Sequence, residues 1–201
     1  TKKKIVIDTD CGSDDAMAIA MALNDPAYEI ILITTVAGNV DIEQATKNVL
    51  TTLEYAKTYE PPVYKGSPKM LLRNLVFAHE THGQDGMGDI SLLPKHLKPC
   101  EGNGILMLLE TLRNSKDGEI DIIALGPLTN LALAIRLDPD AMKKAGKIVI
   151  MGTAGLGSGN VSPVAEFNIW QDAEAAKIVT ESGLSHIIYV GWDACLGPSM
   201  L

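Results

Sequence analysis

Asp8, Asp10, Asp14 and Asp15 place four carboxylates within eight positions, directly after an apolar run from Lys4 to Ile7. Carboxylates that close resist ionising together unless protons or a cation neutralise them. A hard divalent metal is the simplest neutraliser, with Asp10 and Asp15 as its expected ligands and Asp8 orienting them from behind. A plainer reading covers only half of the cluster. Asp14 and Asp15 in the first turn of a helix complement its dipole, Ser13 is a plausible N-cap, and Gly12 makes the turn. Asp8 and Asp10 have no such explanation.

A second polar group lies far along the chain. Glu166-Phe167-Asn168 sets two polar side chains two positions apart, on one side of an extended segment. The stretch Gly152 to Asp172 also holds Asn160 and carries no Lys or Arg. Phosphate cradles combine backbone amides with a basic residue, so Gly155-Leu156-Gly157-Ser158-Gly159 is a weak nucleotide signal. Amides and carboxylates suit hydroxyl groups better. Asn39 after Gly38, and His82 before Gly83, are further ligand candidates; Asn130 reads as a turn or cap residue and Met151 as core. Leu125 would serve through its backbone carbonyl, an oxygen type that calcium accepts.

These residues need a scaffold that gathers them. Apolar strands at Lys4–Ile7, Glu29–Val36, Ile120–Ala124, Lys147–Met151 and His186–Val190, with a short third strand entered through the turn Pro61-Pro62-Val63-Tyr64, alternate with helical patterns. The helices are expected over Ser13–Asn24, from Asp41 to about Tyr59, over Asn103–Arg113, from Gly126-Pro127 to Leu137, and from Asp172 to about Ser182. Lys65 to Pro99 and Gly152 to Gln171 read as long loops. The alternation predicts an α/β fold, an open, mainly parallel sheet with helices on both faces and a Rossmann-like core. Each candidate then follows the carboxyl end of a strand, at one edge of the sheet, where such sheets bind ligands.

The totals narrow the partners. The chain has 201 residues, enough for one sizeable core in a single domain spanning 1–201. A net charge of -8 argues against nucleic acid and against an anionic membrane surface. Cys11, Cys100 and Cys195 form no CxxC pair, so neither a disulfide framework nor a zinc site is indicated and a reducing, cytoplasmic setting is expected. No window is long and apolar enough to span a bilayer.

Asp8-Thr9-Asp10-Cys11-Gly12-Ser13-Asp14-Asp15-Ala16 resembles the DxDxGxDDA signature of the inosine-uridine-preferring nucleoside hydrolase family. Thr34-Thr35-Val36-Ala37-Gly38-Asn39, His82-Gly83, Leu125-Gly126-Pro127-Leu128-Thr129-Asn130 and the Asn160 to Asn168 segment follow that family in order and approximate spacing. The resemblance implies hydrolysis of the N-glycosidic bond of purine or pyrimidine ribonucleosides to ribose and free base, within nucleoside catabolism and salvage. It implies a bound Ca²⁺ held by Asp10, Asp15 and the Leu125 carbonyl, with Asp10 also the base for the attacking water. Asp14, Asn39, Asn160, Glu166 and Asn168 would bind ribose hydroxyls, and His82 and Met151 would line the pocket. A homo-oligomer, dimer or tetramer, is implied as well. So acidic a pocket disfavours a 5′-phosphate, which favours nucleosides over nucleotides.

Family members run longer, and their additional part carries a further aspartate ligand and often a histidine that protonates the leaving base. The expectation is therefore of a C-terminally truncated chain, with apolar surface exposed near its end. Cys11 stands where the family commonly has proline. Two other readings compete. Asp8-x-Asp10 after a strand resembles the start of haloacid-dehalogenase-like phosphohydrolases, although Gly12 departs from that pattern. The third is a catalytically degenerate nucleoside-binding module.

Overall fold

The structure, a computed structural model, describes residues 2–196. Six strands, β1 (Lys3–Thr9), β2 (Tyr28–Thr35), β3 (Val63–Lys65), β4 (Ile120–Ala124), β5 (Ile148–Met151) and β6 (Ile187–Val190), form one sheet in the order β3-β2-β1-β4-β5-β6. Every neighbouring pair is parallel. The chain leaves β1 toward one side and later returns to its other side, so the strand order reverses between β1 and β4. Ligands of open α/β sheets bind in the crevice at such a reversal. Asp8 sits there, paired with Thr34 on β2 and Ala124 on β4.

Alternate residues of β1 serve the two faces. Ile5 and Ile7 pack with α1 (Ser13–Asn24) and α2 (Ile42–Ala56), through Ile19, Leu23, Val49, Leu50 and Leu53. Val6 points the other way, into a larger core. That core includes Leu108, Leu109 and Leu112 of α4 (Gly104–Arg113). It also takes Leu131 and Ile135 of α5 (Thr129–Leu137), Met142 of α6 (Pro139–Lys143) and Val179 of α8 (Ala173–Thr180). Each fully buried Leu or Ile contributes roughly 1.5–3 kcal/mol. Helices on both faces of a parallel sheet are the architecture the alternation predicts. Ile188 and Val190 of β6 remain exposed. Among the described residues no helix is long and apolar enough to cross a membrane.

Several boundaries differ from the sequence reading. Gly12, not Ser13, is the N-cap of α1, and the Asp15 side chain reaches back toward its N–H at 3.4 Å. Helix α2 begins after Asp41, whose side chain accepts from Gln44 N–H, but it stops at Ala56 because Lys57 turns left-handed with φ 53°. Helix α5 starts at Thr129 rather than at Gly126-Pro127. The two long loops contain short helices, α3 (His79–His82) and α7 (Phe167–Gln171), too brief to show a helical period.

Candidate active site

The acidic loop after β1 fixes its carboxylates one by one. Asp8 is fully buried, and its Oδ1 accepts from Thr34 Oγ1 at 2.6 Å and from Asn130 Nδ2 at 2.7 Å. Burial pushes its pKa up to about 6, although those two hydrogen bonds oppose the shift. Asp10 is also fully buried. Its Oδ2 accepts the Asn39 backbone N–H at 2.7 Å, whereas Oδ1 has no partner. Asp15 accepts from Thr9 Oγ1 at 2.8 Å. Burial raises both Asp10 and Asp15 above the usual carboxylate range, and repulsion from each other and from Asp14 adds to the effect on Asp15.

Glycines let the chain approach this closely. A Cβ on Gly38 would fall on Asp10 Oδ2, and one on Gly126 would stand 2.9 Å from Asp10 Oδ1. A Cβ on Gly12 would meet Asn39 Nδ2 at 2.9 Å and His82 Nδ1 at 3.1 Å. The loops after β1, β2 and β4 are thus closed around Asp10 without space for a side chain at these points.

Glu166 and Asn168 do not lie on an extended segment. Glu166 is the N-cap of α7, where its carboxylate accepts the backbone N–H of Asn168 at 2.8 Å and of Ile169 at 3.2 Å. Unmet amides of a first turn attract a carboxylate, and the cap turns both side chains inward. Burial raises the Glu166 pKa, with those amides opposing. Asn168 Nδ2 donates to the Leu125 carbonyl at 2.8 Å and to the Met151 carbonyl at 3.2 Å, tying α7 to the ends of β4 and β5. Asn160 Oδ1 accepts the Phe167 N–H at 2.8 Å. His82, on α3, has Nδ1 3.2 Å from Ser13 Oγ and 3.9 Å from Asp14 Oδ1.

A cleft of about 410 Å³ opens over these groups. Asp14, Asp15, Asn39, His82, Leu125, Met151, Asn160, Glu166 and Asn168 all line it, while Asp10 lies beneath. Trp192 and Phe167, which their sequence context does not mark as ligand contacts, line it too. Trp192 follows the carboxyl end of β6, the position that marked the other candidates, but an apolar residue gave no chemical signal. Asn130 is a buried clamp rather than a turn residue, donating also to the Thr35 carbonyl and accepting the Ser67 N–H. A larger, shallower depression of about 690 Å³ at the opposite sheet edge gathers none of the candidates, and its Asp121 is bonded to Lys3 and to the Lys147 N–H.

The Asp10 and Asp15 carboxylates and the Leu125 carbonyl offer oxygen atoms only. Such a set suits a hard cation, and the partnerless Asp10 Oδ1 is an acceptor still to be satisfied. Among the described residues no three His, Cys, Asp or Glu side chains converge as a ready cluster. No Lys or Arg lines the cleft, which makes it a poor phosphate site.

Comparison with known proteins bears on the same stretches. The chain is 47% identical over 192 residues to "Probable uridine nucleosidase 2" of Arabidopsis thaliana, covering 94% of this chain and 59% of that protein. It is 40% identical over 189 residues to "Pyrimidine-specific ribonucleoside hydrolase RihA" of Salmonella agona, covering 94% of this chain and 60% of that one. A solved plant nucleoside hydrolase, the PpNRh1 enzyme, superposes with a TM-score of 0.90 at 42% identity, over 96% of this chain and 61% of its own. The chain thus spans about 60% of the length of these relatives. The family described as inosine-uridine preferring nucleoside hydrolase matches residues 5–200, from the first strand through the acidic loop to the turn that carries Trp192, and the chain belongs to that family.

Proposed function

We propose that this chain binds a ribonucleoside in the cleft and hydrolyses its N-glycosidic bond with a bound Ca²⁺. The observation that carries the proposal is the buried Asp10 Oδ1, held without a partner beside Asp15 beneath a cleft rimmed by acids and amides. Asp10, Asp15 and the Leu125 carbonyl would hold the cation. When bound, it supplies positive charge that polarises hydroxyls and water near it.

The chain's own residues account for the rest. Asp14, Asn39, Asn160, Glu166 and Asn168 ring the cleft and suit the hydroxyls of ribose, fixing C1′ above the acidic floor. As the C1′–N bond breaks, its electron pair leaves with the base and positive charge grows on the sugar. Fixed carboxylates and amide dipoles stabilise that charge without reorganising. Asp10 takes the proton of the attacking water, a role suited to a carboxylate whose burial makes it more basic than usual. The oligomeric state and a cytoplasmic location belong to the same proposal: a dimeric or tetrameric ribonucleoside hydrolase of nucleoside catabolism.

The test is release of ribose from uridine and inosine by the purified chain with calcium. Release that is lost in Asp10→Ala and on chelation supports the reading. Binding of nucleoside without release would make the chain a nucleoside-binding module instead, and absence of both would overturn the proposal.

A further inference from the structure

The cleft has a mixed lining. Acids and amides line it, and so do the apolar side chains of Met151, Phe167 and Trp192. If ribose takes the acids and amides, as the proposed function requires, the apolar lining is left for the attached base. Phe167 already has an aromatic neighbour, Trp170, with ring centroids 6.4 Å apart. Among the described residues the aromatic contacts are that pair and Phe77 with His79, so no other ring covers the half-buried Trp192.

Trp192 is also held in place. Its backbone N–H donates to the Thr153 carbonyl at 2.9 Å, which ties the turn after β6 to the turn after β5. Its neighbour Asp193 accepts the Leu156 N–H at 3.0 Å and packs on Gly155, where any side chain would collide with it. A Cβ on Gly191 would stand 2.8 Å from the Gly155 backbone. The glycine-rich segment that looked like a weak phosphate loop instead anchors the turn that carries Trp192. A rigid aromatic residue offers contact area at little cost in conformational entropy.

We infer that Trp192 is the surface on which the planar base of the nucleoside stacks, and that it selects aromatic aglycones over bare ribose. The chain has two tryptophans, so in a Trp170→Phe background the indole emission reports on Trp192 alone. The calcium-supplemented protein is titrated with ribose and with pseudouridine, whose base is joined through carbon and leaves no N-glycosidic bond to break. Pseudouridine should quench the emission and ribose should not. Trp192→Leu should weaken pseudouridine binding on the order of tenfold, leaving ribose affinity unchanged. Calorimetric binding of pseudouridine with no quench and no loss in Trp192→Leu would overturn the stacking role while leaving the site reading intact. Absence of heat with both ligands would overturn the nucleoside reading, and the stacking role with it.

Discussion

The backbone N–H of Asn39 donates to one oxygen of Asp10 at 2.7 Å and leaves the other oxygen buried with nothing to bond. The loop after β2 therefore aims a carboxylate on the loop after β1. Gly38 makes the approach possible, because its missing Cβ would coincide with Asp10 Oδ2 and lie 2.8 Å from Pro127 Cδ. Gly38→Ala should displace Asp10 and weaken calcium binding by about tenfold or more, as other changes that orient metal ligands do. Calcium titration by calorimetry, with circular dichroism to confirm the fold, measures this; unchanged affinity would contradict it.

Asn130 binds the buried Asp8 carboxylate, the Thr35 carbonyl and the Ser67 N–H at once, so it joins α5, β1, β2 and the loop after β3. Asn130→Leu should cost about 3 kcal/mol, since it strands a buried carboxylate as well as removing hydrogen bonds. Urea unfolding gives the value. A loss below about 0.5 kcal/mol, the range of an ordinary surface change, would show that Asp8 does not depend on this amide.

Asn48 on α2 donates from one nitrogen to the Cys11 carbonyl at 2.9 Å and to the Asp85 carbonyl at 2.8 Å. It therefore connects the acidic loop to the segment that follows His82. Asn48→Ala should speed amide hydrogen exchange over 83–91 and lower stability by roughly 1–2 kcal/mol. Exchange confined to α2 would mean that the two loops are not coupled through this side chain.

Glu54 accepts the backbone N–H groups of Lys95, His96 and Leu97 at 2.6–2.7 Å. Burial works to raise its pKa, but these three bonds outweigh it and hold the carboxyl at about 2, against an ordinary 4.5. A depressed acid stabilises the fold fully above its unfolded pKa and stops doing so as pH falls through its folded one. Protection of the 95–97 amides should hold at pH 6 and decline between about pH 4.5 and 2. Glu54→Gln should lower protection at pH 6 and flatten the profile. A pH profile identical in both proteins would exclude Glu54 as the clasp.

Strand positions and the acidic loop were legible because they rest on local patterns: β-branched runs, a carboxylate cluster and glycine turns. The α/β class and the edge of the sheet followed from those. Glu166 was misplaced for a physical reason. A five-residue helix is shorter than the window in which a helical period shows, so its cap looked like part of a loop. Asn130 has the sequence context of a turn or cap residue, because its partners, Asp8 and Ser67, are remote in sequence and only the sheet brings them together. Trp192 escaped notice since a lone tryptophan announces no chemistry until a cleft is seen beside it.

Calcium titration of the purified chain beside Asp10→Asn tests the account at its centre. The wild type should bind calcium saturably, with a raised melting temperature. In Asp10→Asn that binding should be lost, and the metal-free form should be at least as stable as the wild type, since a buried unpaired acid has become neutral. A wild-type chain that gives no heat and no thermal shift with calcium, or a variant that binds it equally well, would contradict the account.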